Sequence, residues 1–317
     1  MSPDRLEVGI TCSGYFFGLD TVRAIEDLGY DRFWTAEHIT FHRPIEDVVP
    51  VLSASAAVTR RIGLGAAVIL LPLHHPVPLA KSLSTLDTLA GGRLTVGIGV
   101  GGENPSEFAA CGVDLRGRGA RADEAMEVMR GLWRGVPFSH HGRYWNFDDA
   151  LMLPPPVQRG GPPLWVAGRS EAAMRRAAIR GDGYLPYLVS PESFAQRAAR
   201  LKEIAARAGR TLPDGYGLGV RLELSLDDRE DRAAAKAAAF LAERFETPFT
   251  SDQALRYALC GPPEAVLAQI DRWRQAGVNT LAMQPVSESG GERAVLERFA
   301  RDVLPHLDRR SAHPVAL

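Results

Sequence analysis

The stretch RIGLGAAVILLPLHHPVPLAKSLSTLDTLAGGRLTVGIGVGG, Arg61 to Gly102, leaves this chain few folds to choose from. Its apolar, β-branched run from Ile62 to Leu71 reads as a buried strand and is too short to span a membrane. Prolines at Pro72, Pro76 and Pro78 end that run, after which Leu79, Leu83, Leu86 and Leu89 form the apolar stripe of a helix. Gly91-Gly92 stop the helix, and Arg93 to Gly99 is a second buried strand that runs into a glycine-rich turn. Strand, helix and strand in this order make a βαβ unit with parallel neighbouring strands. Both strand ends then open on the same edge of a sheet, where α/β enzymes keep their chemistry.

The rest of the chain repeats the pattern. Strands are expected at Leu6 to Cys12, Arg32 to Ala36, Leu164 to Ala167, Tyr184 to Val189, Tyr216 to Leu226 and Val278 to Met283. Gly14 to Gly18 reads as a turn after the first of them. Helices are expected at Leu19 to Leu28, Glu46 to Val58, Arg121 to Trp133, Glu171 to Arg180, Pro191 to Ala208 and Asp228 to Phe245. A further helix begins around Cys260-Gly261-Pro262-Pro263-Glu264, and a last one spans Ala294 to Leu307. The stretch from Gly102 to Gly117 reads as polar and structureless, Gly135 to Gly161 as a long surface insertion with room for a hairpin, and Arg309 to Leu317 as a frayed tail. Eight strands alternating with helices point to a single-domain α/β (β/α)8 TIM barrel with loop insertions over residues 1–317, with a doubly wound open sheet as the competing arrangement.

A net charge of −1 gives no electrostatic reason to expect nucleic acid or an anionic membrane as partner. Three widely spaced cysteines fit a reducing cytoplasm, and Met1 to Glu7 has no apolar core of a signal peptide, so a cytoplasmic enzyme is expected.

Gly97-Ile98-Gly99-Val100-Gly101-Gly102 matches G-x-G-x-x-G literally. A dinucleotide site needs that motif to open straight into a helix, and here Glu103-Asn104-Pro105 follows instead. The glycines read better as a turn where backbone approaches a flat ligand. Gly168-Arg169-Ser170, between a buried strand and a helix, joins free N–H groups, a helix dipole and an arginine, which suits a phosphate as well as an ordinary capped helix. Glu37-His38, just past the second strand, would face the barrel mouth. A carboxylate opposite His38, from Glu103 or Glu107, would complete an acid–base pair. His74-His75 and His140-His141 are adjacent pairs that cannot readily converge on one ion, and no metal site is expected. Trp34, Trp145, Trp165 and Trp273 read as packing residues.

Four blocks, RFWTAEH, LPLHHPVPLAKSLSTLDTLAGGRLTVGIGVGGENPSEF, LWVAGRSEAAMRRAAIRGDGY and CGPPEAVLAQIDRWRQAGVNTL, resemble the bacterial luciferase-like superfamily and lie in its order. The wording is most similar to the branch that uses coenzyme F420. The resemblance implies a (β/α)8 barrel, usually a homodimer, that binds coenzyme F420 or, alternatively, FMN. It implies that Ala67-Val68 match a bulge, often a non-prolyl cis peptide, that props the ring. It also implies that Gly101 and Gly102 let backbone approach the ring, and that Ala167, Gly168, Arg169 and Ser170 hold the cofactor phosphate. Glu37 and His38 match an acidic residue and a histidine near the reactive C5, with His38 the proton carrier. Glu103 matches an assisting carboxylate, with Glu107 as the other candidate. Ala66 and Ala67 depart from the family, where many members carry threonine or serine. The activity expected is hydride exchange between coenzyme F420 and a small organic substrate. The alternatives are an FMN-dependent monooxygenase fed by a partner flavin reductase, and an accessory cofactor-binding protein without turnover.

Overall fold

The computed structural model describes residues 6–12, 18–287 and 291–307; most of the turn expected at Gly14–Gly18 and the tail Arg309–Leu317 lie outside them. The chain runs β1 (Glu7–Cys12), α1 (Leu19–Asp27), β2 (Arg32–Thr35), α2 (Val48–Val58), β3 (Gly63–Leu70), α3 (Pro76–Leu89) and β4 (Leu94–Gly99). After β4 come α4 (Pro105–Ala110), α5 (Arg118–Leu132) and a hairpin of β5 (Phe138–His141) with β6 (Asn146–Ala150). Then follow β7 (Leu164–Ala167), α6 (Glu171–Arg180), β8 (Gly183–Leu185), α7 (Pro191–Arg207), β9 (Gly217–Leu226) and α8 (Glu230–Phe245). The chain ends through α9 (Ser251–Tyr257), β10 (Ala258–Gly261), α10 (Pro263–Gln275), β11 (Thr280–Pro285) and α11 (Glu292–Asp302).

Strands β1, β2, β3, β4, β7, β8, β9 and β11 pair in that order, all parallel, and β11 returns to β1. The sheet therefore closes into a (β/α)8 barrel with helices outside it, and the open-sheet alternative is excluded. Strand β9 is long enough to carry three partners. It pairs with β8 at Gly217 and Leu218, with β11 over Gly219 to Leu224, and with β10 over Glu223 to Leu226. The expected helix start at Cys260 is thus displaced to Pro263, and Ala258 to Gly261 is a short strand that prolongs the edge β8 leaves.

The lumen is filled from below by aromatic side chains. Trp34 and Trp165 face each other inside the barrel with ring centroids 5.6 Å apart. Other strands make room for them with glycine, since a Cβ on Gly65 would lie 2.1 Å from Trp34 and one on Gly217 2.0 Å from Trp165. Both tryptophans therefore pack, as the sequence suggests, and they set the floor above which ligand space begins. Outside, α3 buries Leu79, Leu83 and Leu86 while Leu89, expected in the same stripe, is 59% exposed at the helix end. Helix α5 buries Ala122, Met126 and Met129, with Trp133 just past its end also buried. Each large side chain removed from water in this way contributes roughly 2 kcal/mol.

Among the described residues, no helix is long and apolar enough to cross a membrane.

Candidate active site

A cavity with about 930 Å³ of empty space, counting its open mouth, lies at the C-terminal ends of the strands. One wall is the upper part of β3. The peptide bond between Ala67 and Val68 is cis, and the pairing of β3 with β4 shifts between Ala66 and Ile69. Strand β4 accommodates this bulge through glycine: a Cβ on Gly97 would lie 2.3 Å from the Ala66 carbonyl oxygen, and one on Gly99 2.8 Å from Val68 Cγ2. The first two glycines of the G-x-G-x-x-G run therefore serve the bulge. Gly101, with φ +61°, lines the cavity, and Gly102, with φ +113°, packs on the Arg118 guanidinium and does not line it.

Glu37 also lines the cavity and braces the same bulge. Its N–H donates to Val68 O at 3.3 Å, and its Oε1 accepts from Leu70 N at 2.8 Å and lies 2.6 Å from His74 Nε2. Burial works against a charge on His74, but the hydrogen bond and charge of Glu37, with Asp47 behind, outweigh it and raise the His74 pKa above the ordinary 6.5. The Glu37 carboxylate is thus spent on Leu70 and His74.

His38 leaves β2 on the cavity side, and its ring stacks on Phe41 at 4.0 Å. Its Nδ1 lies 3.2 Å from Glu107 Oε1 and 3.3 Å from Oε2. Glu107 is fully buried in α4 and also accepts from Ile39 N at 3.1 Å. An Nδ1–H that donates to this carboxylate leaves Nε2 as the acceptor. Of the two candidate carboxylates, Glu107 is the one on His38, because the stretch read as structureless forms α4 and turns position 107 inward. Glu103 lines the cavity elsewhere and accepts a hydrogen bond from the Tyr187 hydroxyl. Burial, then the charge and hydrogen bond of Glu103, push the Tyr187 pKa up to about 12, so it stays a donor. The Tyr187 ring lies between the Arg169 guanidinium at 5.0 Å and the Phe245 ring at 6.1 Å.

Ala167 and Gly168 continue the wall on β7, with Gly168 at φ +122°. Ser170 caps α6, its Oγ accepting from Ala173 N at 3.2 Å. The carbonyl of Gly168 accepts from Tyr184 Oη at 2.9 Å, and that of Arg169 from Arg197, so the turn before α6 is held from β8 and from α7. A helix N-terminus with serine and arginine beside it is a ready anion site.

Sequence reasoning missed His74, Tyr187, Arg221, Arg244 and Phe245. The last four line the cavity with the expected residues other than Gly102, Arg169 and Ser170. Arg221 had a signal, since an arginine and a glutamate alternate in the otherwise apolar GLGVRLELSL. Among the described residues, no group of three or more His, Cys, Asp or Glu is placed to hold a metal ion.

A family model described as luciferase-like monooxygenase matches residues 6–280. An uncharacterised protein of Mycobacterium tuberculosis is 36% identical over 172 residues, 54% of this chain and 58% of the relative. The matched segment thus spans little more than half the length of the curated relatives. The crystal structure of monooxygenase RslO1 from Streptomyces bottropensis superposes with a TM-score of 0.82 at 27% identity, over 95% of this chain and 99% of that one. An F420-dependent secondary alcohol dehydrogenase, solved with an F420-acetone adduct, gives 0.82 at 19% identity over 94% and 98%. A type II Baeyer-Villiger monooxygenase from Pseudomonas putida, the oxygenating constituent of 3,6-diketocamphane monooxygenase in complex with FMN, gives 0.79 at 20% over 95% and 98%. The last two share the fold.

Proposed function

The chain belongs to the luciferase-like monooxygenase family, and on that premise we propose that it is a flavin-type oxidoreductase that uses coenzyme F420 to exchange a hydride with a small organic alcohol or carbonyl compound. The observation that carries this reading is His38 held on the buried carboxylate of Glu107, at the rim of an apolar cradle.

The residues fit such a cofactor. Ala36, Ala67, Val68, Gly99 and Ala167 offer small, apolar surface to a flat ring, and a Cβ on Gly101 would already press on Phe108 at 3.1 Å. Ser170, Arg169 and the first turn of α6 offer N–H groups and a guanidinium to a phosphate. Alanine at Ala66 and Ala67 leaves ring contacts at the bulge to backbone and methyl groups.

When bound, the cofactor supplies the carbon that accepts or gives the hydride. The chain supplies the proton and the geometry. In the oxidising direction, His38 Nε2 takes the hydroxyl proton of the alcohol as its carbon-bound hydrogen leaves with the electron pair, and the carbonyl forms. Glu107 stabilises the resulting imidazolium and fixes its orientation. In the reducing direction the same nitrogen returns the proton. Ile45, Leu70 and Leu185 keep the chamber poor in water around the transfer.

A second reading is an FMN-dependent monooxygenase supplied with reduced flavin by a partner reductase, and the 27% identity with RslO1 favours it. Titration of the protein with coenzyme F420 and with FMN, followed by absorbance and fluorescence, separates the two. Saturable F420 binding with weaker FMN binding is expected. FMN binding without F420 binding would replace the first reading by the second, and binding of neither would overturn both.

A further inference from the structure

Most of the chamber wall above the tryptophans is small or apolar, supplied by Ala36, Ala67, Gly99, Ala167 and Leu185. Strand β9 departs from this. Its inward positions begin with Gly217 and Gly219, both packed on Trp165, and two residues higher Arg221 lines the chamber. Arg221 is 7% exposed, and its Nη1 donates to Oε1 of Glu223, itself 2% exposed, at 3.0 Å. That bond fixes the guanidinium at the wall. Arg244, in the last turn of α8, lines the same chamber. Burial, then the charge of Arg221, push the Arg244 pKa down to about 9, so it remains protonated at neutral pH against the opposition of its neighbour.

Two guanidiniums in a chamber whose wall is mostly small and apolar, with Glu37, His38, Glu103 and Tyr187 as its other polar groups, suit a carboxylate. A bare carboxylate in such a space is strongly disfavoured, and arginine meets it with paired, charge-assisted hydrogen bonds. The placement also fits a substrate. In the closed sheet β9 lies opposite β3, so Arg221 is across the lumen from the Ala67-Val68 bulge. Glu103 lines the same chamber, accepts from Tyr187 and, like Glu223, acts on Arg244 through its charge.

We propose that Arg221 and Arg244 form an anion subsite and that the substrate is an organic acid, its carboxylate held between β9 and the end of α8 while the carbon a few bonds away faces His38. The assignment of the reacting end rests on the hydride-transfer reading above; the anion subsite does not. The competing use of these arginines is to hold the electron-rich edge of the cofactor ring, which the test separates.

The test is calorimetric titration of the full chain with pentanoate and with pentanamide, which match in shape and differ in charge. The protein is used alone and saturated with coenzyme F420. Pentanoate is expected to bind about tenfold or more tighter than pentanamide, as a charge-assisted bond in a desolvated site implies. Arg244→Gln and Arg221→Gln should each reduce that preference to about twofold, with F420 affinity changed by less than about threefold. Arg221→Lys, which keeps a charge next to Glu223, should retain part of the preference and covers the case in which Arg221→Gln does not fold. Equal binding of the two probes to the native protein would overturn the proposal. So would arginine variants that weaken F420 and leave the pentanoate preference intact. Loss of cofactor binding altogether, with the pentanoate preference still present, would overturn the hydride-transfer reading and keep the anion subsite.

Discussion

His38 and Glu107 lie 69 positions apart in sequence, yet His38 Nδ1 sits 3.2 Å from Glu107 Oε1. The carboxylate also accepts from Ile39 N, so it grips both the imidazole and the backbone that follows it. The segment after β2 is thereby tied to α4 after β4. The strand between them, β3, carries the Ala67-Val68 bulge, and Glu37, the neighbour of His38, braces that bulge through Val68 and Leu70. Two consecutive residues, 37 and 38, thus divide the work: one holds the cradle's shape and the other faces its opening.

Glu107→Gln keeps the volume and an acceptor for Ile39 N while it removes the charge beside His38. Hydride transfer should slow about 100-fold, the scale of a positioned proton carrier that loses its support. Cofactor affinity, read by fluorescence titration, should stay within about threefold. Unchanged single-turnover rates in the folded variant would remove Glu107 from the proposed chemistry.

The His74–Glu37 pair gives a signed pH dependence. The folded-state pKa of His74 lies above its ordinary 6.5, so the pair's stabilisation is full below that value and is lost as pH rises through the raised one. Urea denaturation of the native chain and of His74→Gln, measured across that range, should show the largest gap on the acid side and convergence at alkaline pH. A gap that widens with pH would contradict the assignment.

The barrel was legible because its strands carry strong local patterns: the β-branched run at Ile62 to Leu71, the stripe of α3 and the glycine stops are all short-range signals. Helix α4 was not legible, since six residues are too few for helical periodicity to show, and with it went the choice between Glu103 and Glu107. Strand β10 was hidden for a related reason, because four residues ahead of a proline-led helix read as that helix's start. Arg244 and Phe245 reach the chamber from the end of a helix, and no spacing rule indicates where the end of a helix will point. The two tryptophans were readable as packing, but the glycines on other strands that make room for them acquire meaning once the register is known.

Gly97→Ala separates the bulge reading of the glycine run from a nucleotide-binding one. The added Cβ would lie 2.3 Å from the Ala66 carbonyl oxygen, a backbone atom that cannot swing aside. The protein without any ligand should lose about 1–3 kcal/mol or more of stability, as overpacked sites do. A glycine needed for a bound phosphate would instead weaken ligand binding and leave the melting temperature of the free protein unchanged. Thermal unfolding of the free variant decides between them.

Glu124 anchors the β5–β6 hairpin to the barrel. Its carboxylate accepts from the backbone N–H groups of Arg143, Tyr144 and Trp145 and lies 3.3 Å from His140 Nε2. Burial works against the charge, but these donors outweigh it and hold the pKa below the ordinary 4.5. The stabilisation is therefore present above 4.5 and is lost as pH falls through the lowered value. Glu124→Gln, which removes the charge and half of the accepting capacity, should cost about 1–3 kcal/mol. The loss should fall first on the hairpin, so limited proteolysis within residues 138–150 should speed up before the barrel itself unfolds. Gly142→Ala offers an independent check, since its Cβ would sit 2.2 Å from Glu124 Oε1 and push the carboxylate off its donors. If both variants melt with the native profile and resist protease equally, the hairpin is held by its aromatic contacts instead, among them Arg121 over the Trp145 ring at 4.6 Å.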